Sequence, residues 1–120
     1  MERLMNEEEL KRRTKKFALQ VIKLVGLLPR NIEGRAIGGQ LIRSGTSVGA
    51  NYRAACRSRS KAEFIAKMGI VEGEADETAY WLELIIEGNL MKMATVKPLH
   101  QEADELVAIM AASRKSASGQ

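Results

Sequence analysis

Residues 32–56 read IEGRAIGGQLIRSGTSVGANYRAAC, and the fold turns on whether this stretch is a loop or a helix. Gly34, Gly38, Gly39, Gly45 and Gly49 argue for a loop, since each costs about 1 kcal/mol relative to alanine inside a helix. Periodicity argues the other way. At about 100° per residue, Ile37, Leu41, Val48, Tyr52 and Ala55 fall within an arc of about 60°. A loop has no reason to keep such a stripe, so the spacing predicts a helix from Ile32 to Cys56. Its small residues would let a neighbouring helix approach closely, and that packing would offset the poor propensity.

Working outward, the flanking segments also read as helices. Asn6 is a good N-cap followed by Glu7, Glu8 and Glu9, which suit the positive end of a helix dipole. Phe17, Val21, Leu24 and Leu28 follow at helical spacing until Pro29 stops the run. Ser60-Lys61-Ala62-Glu63 has the form of a capping box. From it Phe64, Met68, Val71, Ala75, Leu82 and Ile86 continue towards Asn89 at strides suited to a bundle seam. A last helix is expected from Thr95, with Pro98 in its first turn and Leu99, Ala103, Leu106 and Met110 facing inward. No segment alternates like a strand. Short links between long amphipathic helices predict an all-α, antiparallel up-down four-helix bundle over residues 1–112, with a frayed, flexible C-terminal tail at 113–120.

Composition sets the outer limits. The chain has 120 residues, 45% apolar and 28% charged, which is one domain with a core of its own and no room for a second. Aromatics make up 4%, so that core is aliphatic. The single cysteine, Cys56, excludes an internal disulfide framework and fits a reducing compartment. The charged N-terminal residues cannot form a signal-peptide apolar region, and no apolar run approaches the roughly 18 residues that span a bilayer. A soluble cytoplasmic protein with no membrane partner is expected.

Charge is divided unevenly. Residues 1–61 hold 14 Lys/Arg against 5 Asp/Glu, while residues 62–120 hold 5 against 10. On a helical wheel Arg35, Arg43, Arg53 and Arg57 share one outward face of the second helix, and Arg59 and Lys61 extend it into the next connection. Solubilising faces usually mix both signs, and arginine presents a planar multi-donor head suited to phosphate oxygens. Two readings follow. The face is a nucleic-acid footprint, or it is a solvated or ion-pairing surface that meets an acidic stripe formed by Glu72, Asp76, Glu83 and Glu87. Without interleaved aromatic residues, single-strand base stacking is disfavoured. Ile70, Tyr80, Trp81 and Leu84 form a second apolar arc on the third helix, as expected of a subunit interface. Ser44, Ser47 and Asn51 lie at the edge of the stripe on the second helix, where hydrogen bonds between helices would satisfy them.

Chemistry is sparse. His100 is the single histidine, and Lys97 stands where a di-iron bundle wants glutamate, so no metal site and no cofactor are expected. Residues 45–49, GTSVG, match no phosphate-cradle motif. Neither Cys56 nor Ser44 or Ser47 has an activating base positioned by the sequence, so no catalytic residue and no enzymatic activity are expected.

The segment Ile42-Arg43-Ser44-Gly45-Thr46-Ser47-Val48-Gly49-Ala50-Asn51-Tyr52 resembles a signature of the small bacterial four-helix-bundle proteins related to 23S ribosomal RNA intervening-sequence proteins. Ser60, Glu63-Phe64, Glu74-Ala75-Asp76-Glu77 and Tyr80-Trp81-Leu82 resemble its second block, and the likeness spans about residues 10–112. The resemblance implies a bundle that assembles into a ring-like homopentamer. It also implies kinship with accessory proteins of diversity-generating retroelements, which bind nucleic acid and a reverse transcriptase. The resulting expectation is a non-enzymatic oligomeric adaptor that holds structured RNA or DNA on its arginine face. Its alternative is a structural assembly module whose arginine stripe pairs with the acidic stripe of a neighbouring subunit.

Overall fold

In a computed structural model, which describes residues 5–119, four helices follow one another: α1 Glu7–Val25, α2 Ile32–Cys56, α3 Lys61–Glu87 and α4 Met93–Ala117. The ends of the domain and tail ranges, residues 1–4 and 120, lie outside the described residues. The four helices form an all-α bundle measuring 45 × 28 × 20 Å, and no strand occurs among the described residues.

Local chemistry sets most helix ends. Asn6 Oδ1 accepts from the Glu9 amide at 2.8 Å, and Asn31 Oδ1 accepts from the Gly34 amide at the same distance. At the start of α3, Ser60 Oγ accepts from the Glu63 amide at 3.1 Å. The Glu63 carboxylate reaches back to the Arg59 amide at 3.3 Å, one residue earlier than in a reciprocal capping box. α3 stops at Glu87, short of Asn89, because Asn89 turns left-handed with φ +57°. The Leu90 amide then donates to Ile85 O at 3.0 Å, closing a Schellman turn. α4 starts at Met93, before the expected Thr95, behind Lys92, which makes no side-chain cap bond. Pro98 consequently sits in the second turn of α4. That helix also runs on to Ala117, through residues expected to fray from Ser113, and Arg114 Nε pairs there with Glu72 at 2.9 Å.

The glycines of α2 act at its crossing with α1. A Cβ on Gly45 would lie 2.8 Å from both Val21 methyls, and one on Gly49 would lie 3.1 Å from Thr14 Oγ1. Further back, a Cβ on Gly38 would meet Val25 and Leu28 at 3.3 and 3.2 Å. As α2 advances, its partners on α1 recede. The close approach buries Phe17, Val21, Leu41 and Val48 completely, and the core continues through Met68, Val71, Leu82, Leu106 and Met110. This packing offsets the low propensity of the stretch that decides the fold. Gly39 and Gly73 differ, since a Cβ on either would have nothing within 4 Å. Among neighbouring helices α1 and α4 touch least, which leaves a cleft between them.

Candidate nucleic-acid interface

Helix α2 carries Arg35, Arg43 and Arg53, Arg57 is its C-cap, Arg59 lies in the connection and Lys61 opens α3. Arg35, Arg53, Arg57 and Arg59 are exposed, as is Lys61, and none of their side chains has a hydrogen-bond or ion-pair partner among the described residues. Arg43 departs from this pattern. Its guanidinium pairs with Glu77 and, at 3.4 Å, with Glu74, so it belongs to the seam between α2 and α3. Trp81 Nε1 also donates to Glu77, at 3.0 Å. That indole bond first, and Arg43 after it, hold the Glu77 carboxyl below its ordinary range.

The acids are largely spent inside the chain. Glu72 holds Arg114 on α4, and Glu83 Oε2 lies 3.0 Å from His100 Nε2, with Asp104 3.6 Å from the other ring nitrogen. Arg13 on α1 makes paired 2.7 Å bonds to both carboxylate oxygens of Glu102 and a 2.9 Å bond to Glu105. Lys11 pairs with Glu7 and Glu8, and Lys67 with Glu63. Among the described acids only Glu33, Asp76 and Glu87 lack a partner. Two members of the predicted acidic stripe, Glu72 and Glu83, are therefore engaged within the chain.

On the second apolar arc Ile70 and Tyr80 stand 55% and 52% exposed, while Leu84 is half-buried. Trp81 is half-buried against the core, in a T-shaped contact with Tyr80 at a centroid distance of 5.2 Å, so it contributes less outward area than the wheel suggests. Of the three polar residues read as linking helices, only Ser44 does so, its hydroxyl meeting that of Thr78 at 3.0 Å in the core. Ser47 and Asn51 turn back on their own helix, donating to Arg43 O at 2.6 Å and to Ser47 O at 2.9 Å. A hydroxyl or amide near the edge of a stripe reaches the carbonyl one turn earlier without crossing a seam.

Sequence reasoning missed Glu74, Glu77 and Thr78 as partners of α2. Their spacing of 31 to 34 residues from Arg43 and Ser44 is set by the α2–α3 connection, and folding that connection on paper would have aligned them. Burial pushes the Cys56 thiol above its ordinary value, and a hydrogen bond with Tyr52 opposes the shift. Among the described residues no three His, Cys, Asp or Glu side chains group so as to hold a metal ion, and no helix is long and apolar enough to cross a membrane.

Comparison with known proteins agrees with this architecture. A protein of unknown function from the S23 ribosomal protein family of Bacteroides thetaiotaomicron superposes with a TM-score of 0.85 at 32% sequence identity, covering 92% of this chain and 99% of that one. No curated protein matches the chain. The family description "23S rRNA-intervening sequence protein" matches residues 6–112, a span that takes in α1 to α3 and most of α4. With the paired helices, the glycine crossing and the arginine face all inside that span, the chain belongs to the 23S rRNA-intervening sequence protein family.

Proposed function

We propose that this protein is a non-enzymatic, homo-oligomeric adaptor that binds structured RNA or DNA through Arg35, Arg53, Arg57, Arg59 and Lys61. One observation carries the reading: these cations remain exposed and unpartnered while the fold uses most of its acids in internal pairs. A polyanion approaching this face meets guanidinium donors free to bind phosphate, and no base-reading element accompanies them. Arg43 contributes charge nearby, but its geometry is committed to α3. The descending order of contacts between α1 and α2 supports antiparallel, up-down neighbours. Exposed Ile70 and Tyr80 support a subunit contact on α3, within the ring-like pentamer that the family resemblance implies. A reverse transcriptase is the corresponding protein partner if the chain serves a retroelement.

The alternative, in which the arginine face pairs with a neighbour's acidic stripe, is left with Asp76 and Glu87 once Glu72 and Glu83 are spent. Fluorescence anisotropy with a labelled structured RNA and an equal-length duplex DNA, from about 50 to 200 mM salt, separates the two readings. Saturable binding that weakens steeply with salt is expected, and Arg53→Glu with Arg57→Glu lowers both affinity and slope. Binding unchanged by that double reversal at every salt concentration removes the face from the function. Loss of oligomer mass in the same variant, with no nucleic-acid binding by the parent protein, establishes the assembly reading.

A further inference from the structure

The loosest seam of the bundle holds a feature that the arginine face does not explain. Between α1 and α4 lies an open cleft of about 850 Å³. Its apolar surface comes mainly from Leu27, 62% exposed, and from Pro98, which lie over Leu24 and Leu99, already buried in the core. The Arg13–Glu102 pair ties the two helices across it, and Glu9 stands towards the α1 N-terminus. Along its α1 edge run Arg12, Lys16 and Lys23, none of which has a side-chain partner among the described residues. At 1.5 Å per residue that row is roughly 16 Å long.

Three classes of anion can be weighed against this shape. A single-headed lipid or fatty acid fills an apolar floor but offers one charge, not a row spread over three helical turns. Nucleic acid offers a row of charges but no aliphatic side chains to cover Leu27 and Pro98. An amphipathic helix with acidic residues along one edge offers both. We propose that the α1–α4 cleft is a docking groove for an acidic amphipathic helix of a partner protein. Aliphatic anchors at i, i+3 and i+7 enter the groove, and glutamates or aspartates on the adjoining edge meet Arg12, Lys16 and Lys23. The proposal concerns a different face from the nucleic-acid reading and stands or falls separately from it.

The test uses the full chain and a fluorescein-labelled 18-residue peptide with leucines on one stripe and glutamates on its flank, followed by anisotropy. Saturable binding is expected, with affinity falling about tenfold when the glutamates become glutamines, as expected for several rim ion pairs lost together. Lys16→Glu with Lys23→Glu abolishes binding of the acidic peptide, and a lysine-flanked peptide regains it on that variant. Both positions are exposed, so helical content and Tm provide the folding control. No saturable binding by the parent chain overturns the proposal, and so does equal affinity for the glutamate and glutamine peptides. Displacement of the peptide by duplex RNA reassigns the row to nucleic acid, and displacement by sub-micellar decanoate reassigns the cleft to a small amphiphile.

Discussion

Replacing Gly45 by alanine tests whether close approach of α1 and α2 is what makes a glycine-rich stretch helical. A gain in helix propensity of about 1 kcal/mol applies to any glycine-to-alanine change in a helix interior. At Gly45 the new methyl meets both Val21 methyls at 2.8 Å and the Val21 Cβ at 3.1 Å. Rotating the valine side chain cannot move its Cβ, and Val21 is completely buried, so the helices must separate. Overpacking of this kind costs about 1–3 kcal/mol. Gly39 supplies the control on the same helix, because its added methyl meets nothing within 4 Å. The propensity term is common to both variants, so the difference between them isolates the contact. Gly39→Ala is therefore expected to lie about 1–3 kcal/mol above Gly45→Ala in urea unfolding followed by circular dichroism. In a thermal melt that is a separation of roughly 4–12 °C for a domain of this size. Protein concentration must be held fixed, since assembly couples stability to it. Combining Gly45→Ala with Val21→Ala should recover part of the loss expected from adding the single effects. A Gly45→Ala protein as stable as Gly39→Ala would refute the reasoning, and with it the account of how α2 forms.

Three further outcomes follow from the pairing pattern. The Glu77 carboxyl is held below its ordinary value of 4.5 by Trp81 and Arg43, so its contribution to stability is full above that pH and is lost as pH falls through the lowered folded value. Trp81 is the single tryptophan, and its emission should report this titration and lose the acid limb in Glu77→Gln. Arg43→Glu sets a third carboxylate beside Glu74 and Glu77 and should lower Tm by several degrees, whereas Arg53→Glu should leave Tm unchanged. Equal effects from the two reversals would contradict the assignment of Arg43 to the seam. Finally, burial raises the Cys56 thiol pKa, so a chromogenic disulfide reagent at pH 8 should react with it more slowly than with a free thiol. Unfolding in urea should abolish the difference.

Much of this architecture was legible in the sequence because the fold is written in periodicity. The α2 boundaries, Ile32 and Cys56, follow from an apolar stripe that overrides the glycines, and Asn6 and Ser60 announce the starts of their helices. The start of α4 was not legible, since Lys92 supplies no cap bond and the first strong breaker, Pro98, falls one turn inside. The candidate site divided along similar lines. A wheel places Arg35, Arg43, Arg53 and Arg57 on one face, and all four are exposed although Arg57 falls just past the end of α2, but a wheel describes one helix at a time. Which of them meets a carboxylate depends on the register between α2 and α3, and that register took Arg43 out of the free set. The same limitation hid the inward role of Trp81 and the return of Ser47 and Asn51 to their own backbone.

Net charge therefore understates what this surface offers. A balance of +4 describes a weakly basic protein, yet it counts carboxylates that are no longer available to oppose an approaching anion. Glu74 and Glu77 close the seam between α2 and α3, Glu72 and Glu83 that between α3 and α4, and Glu102 and Glu105 that between α1 and α4. Glu72 has Arg114 to itself, whereas Arg13 and Arg43 each serve two carboxylates, so those clusters keep a residual negative charge that is confined to the seams. The unpaired positive groups then dominate locally, on the outer face of α2 and along the α1 edge of the cleft. These two surfaces differ in head group. The α2 face sets guanidiniums among small residues and the exposed Ile32 and Ile42, while the α1 row is mostly lysine and borders the exposed Leu27. Planar guanidiniums suit phosphate on the first, and ammonium charges beside an exposed leucine suit an acidic amphipathic helix on the second.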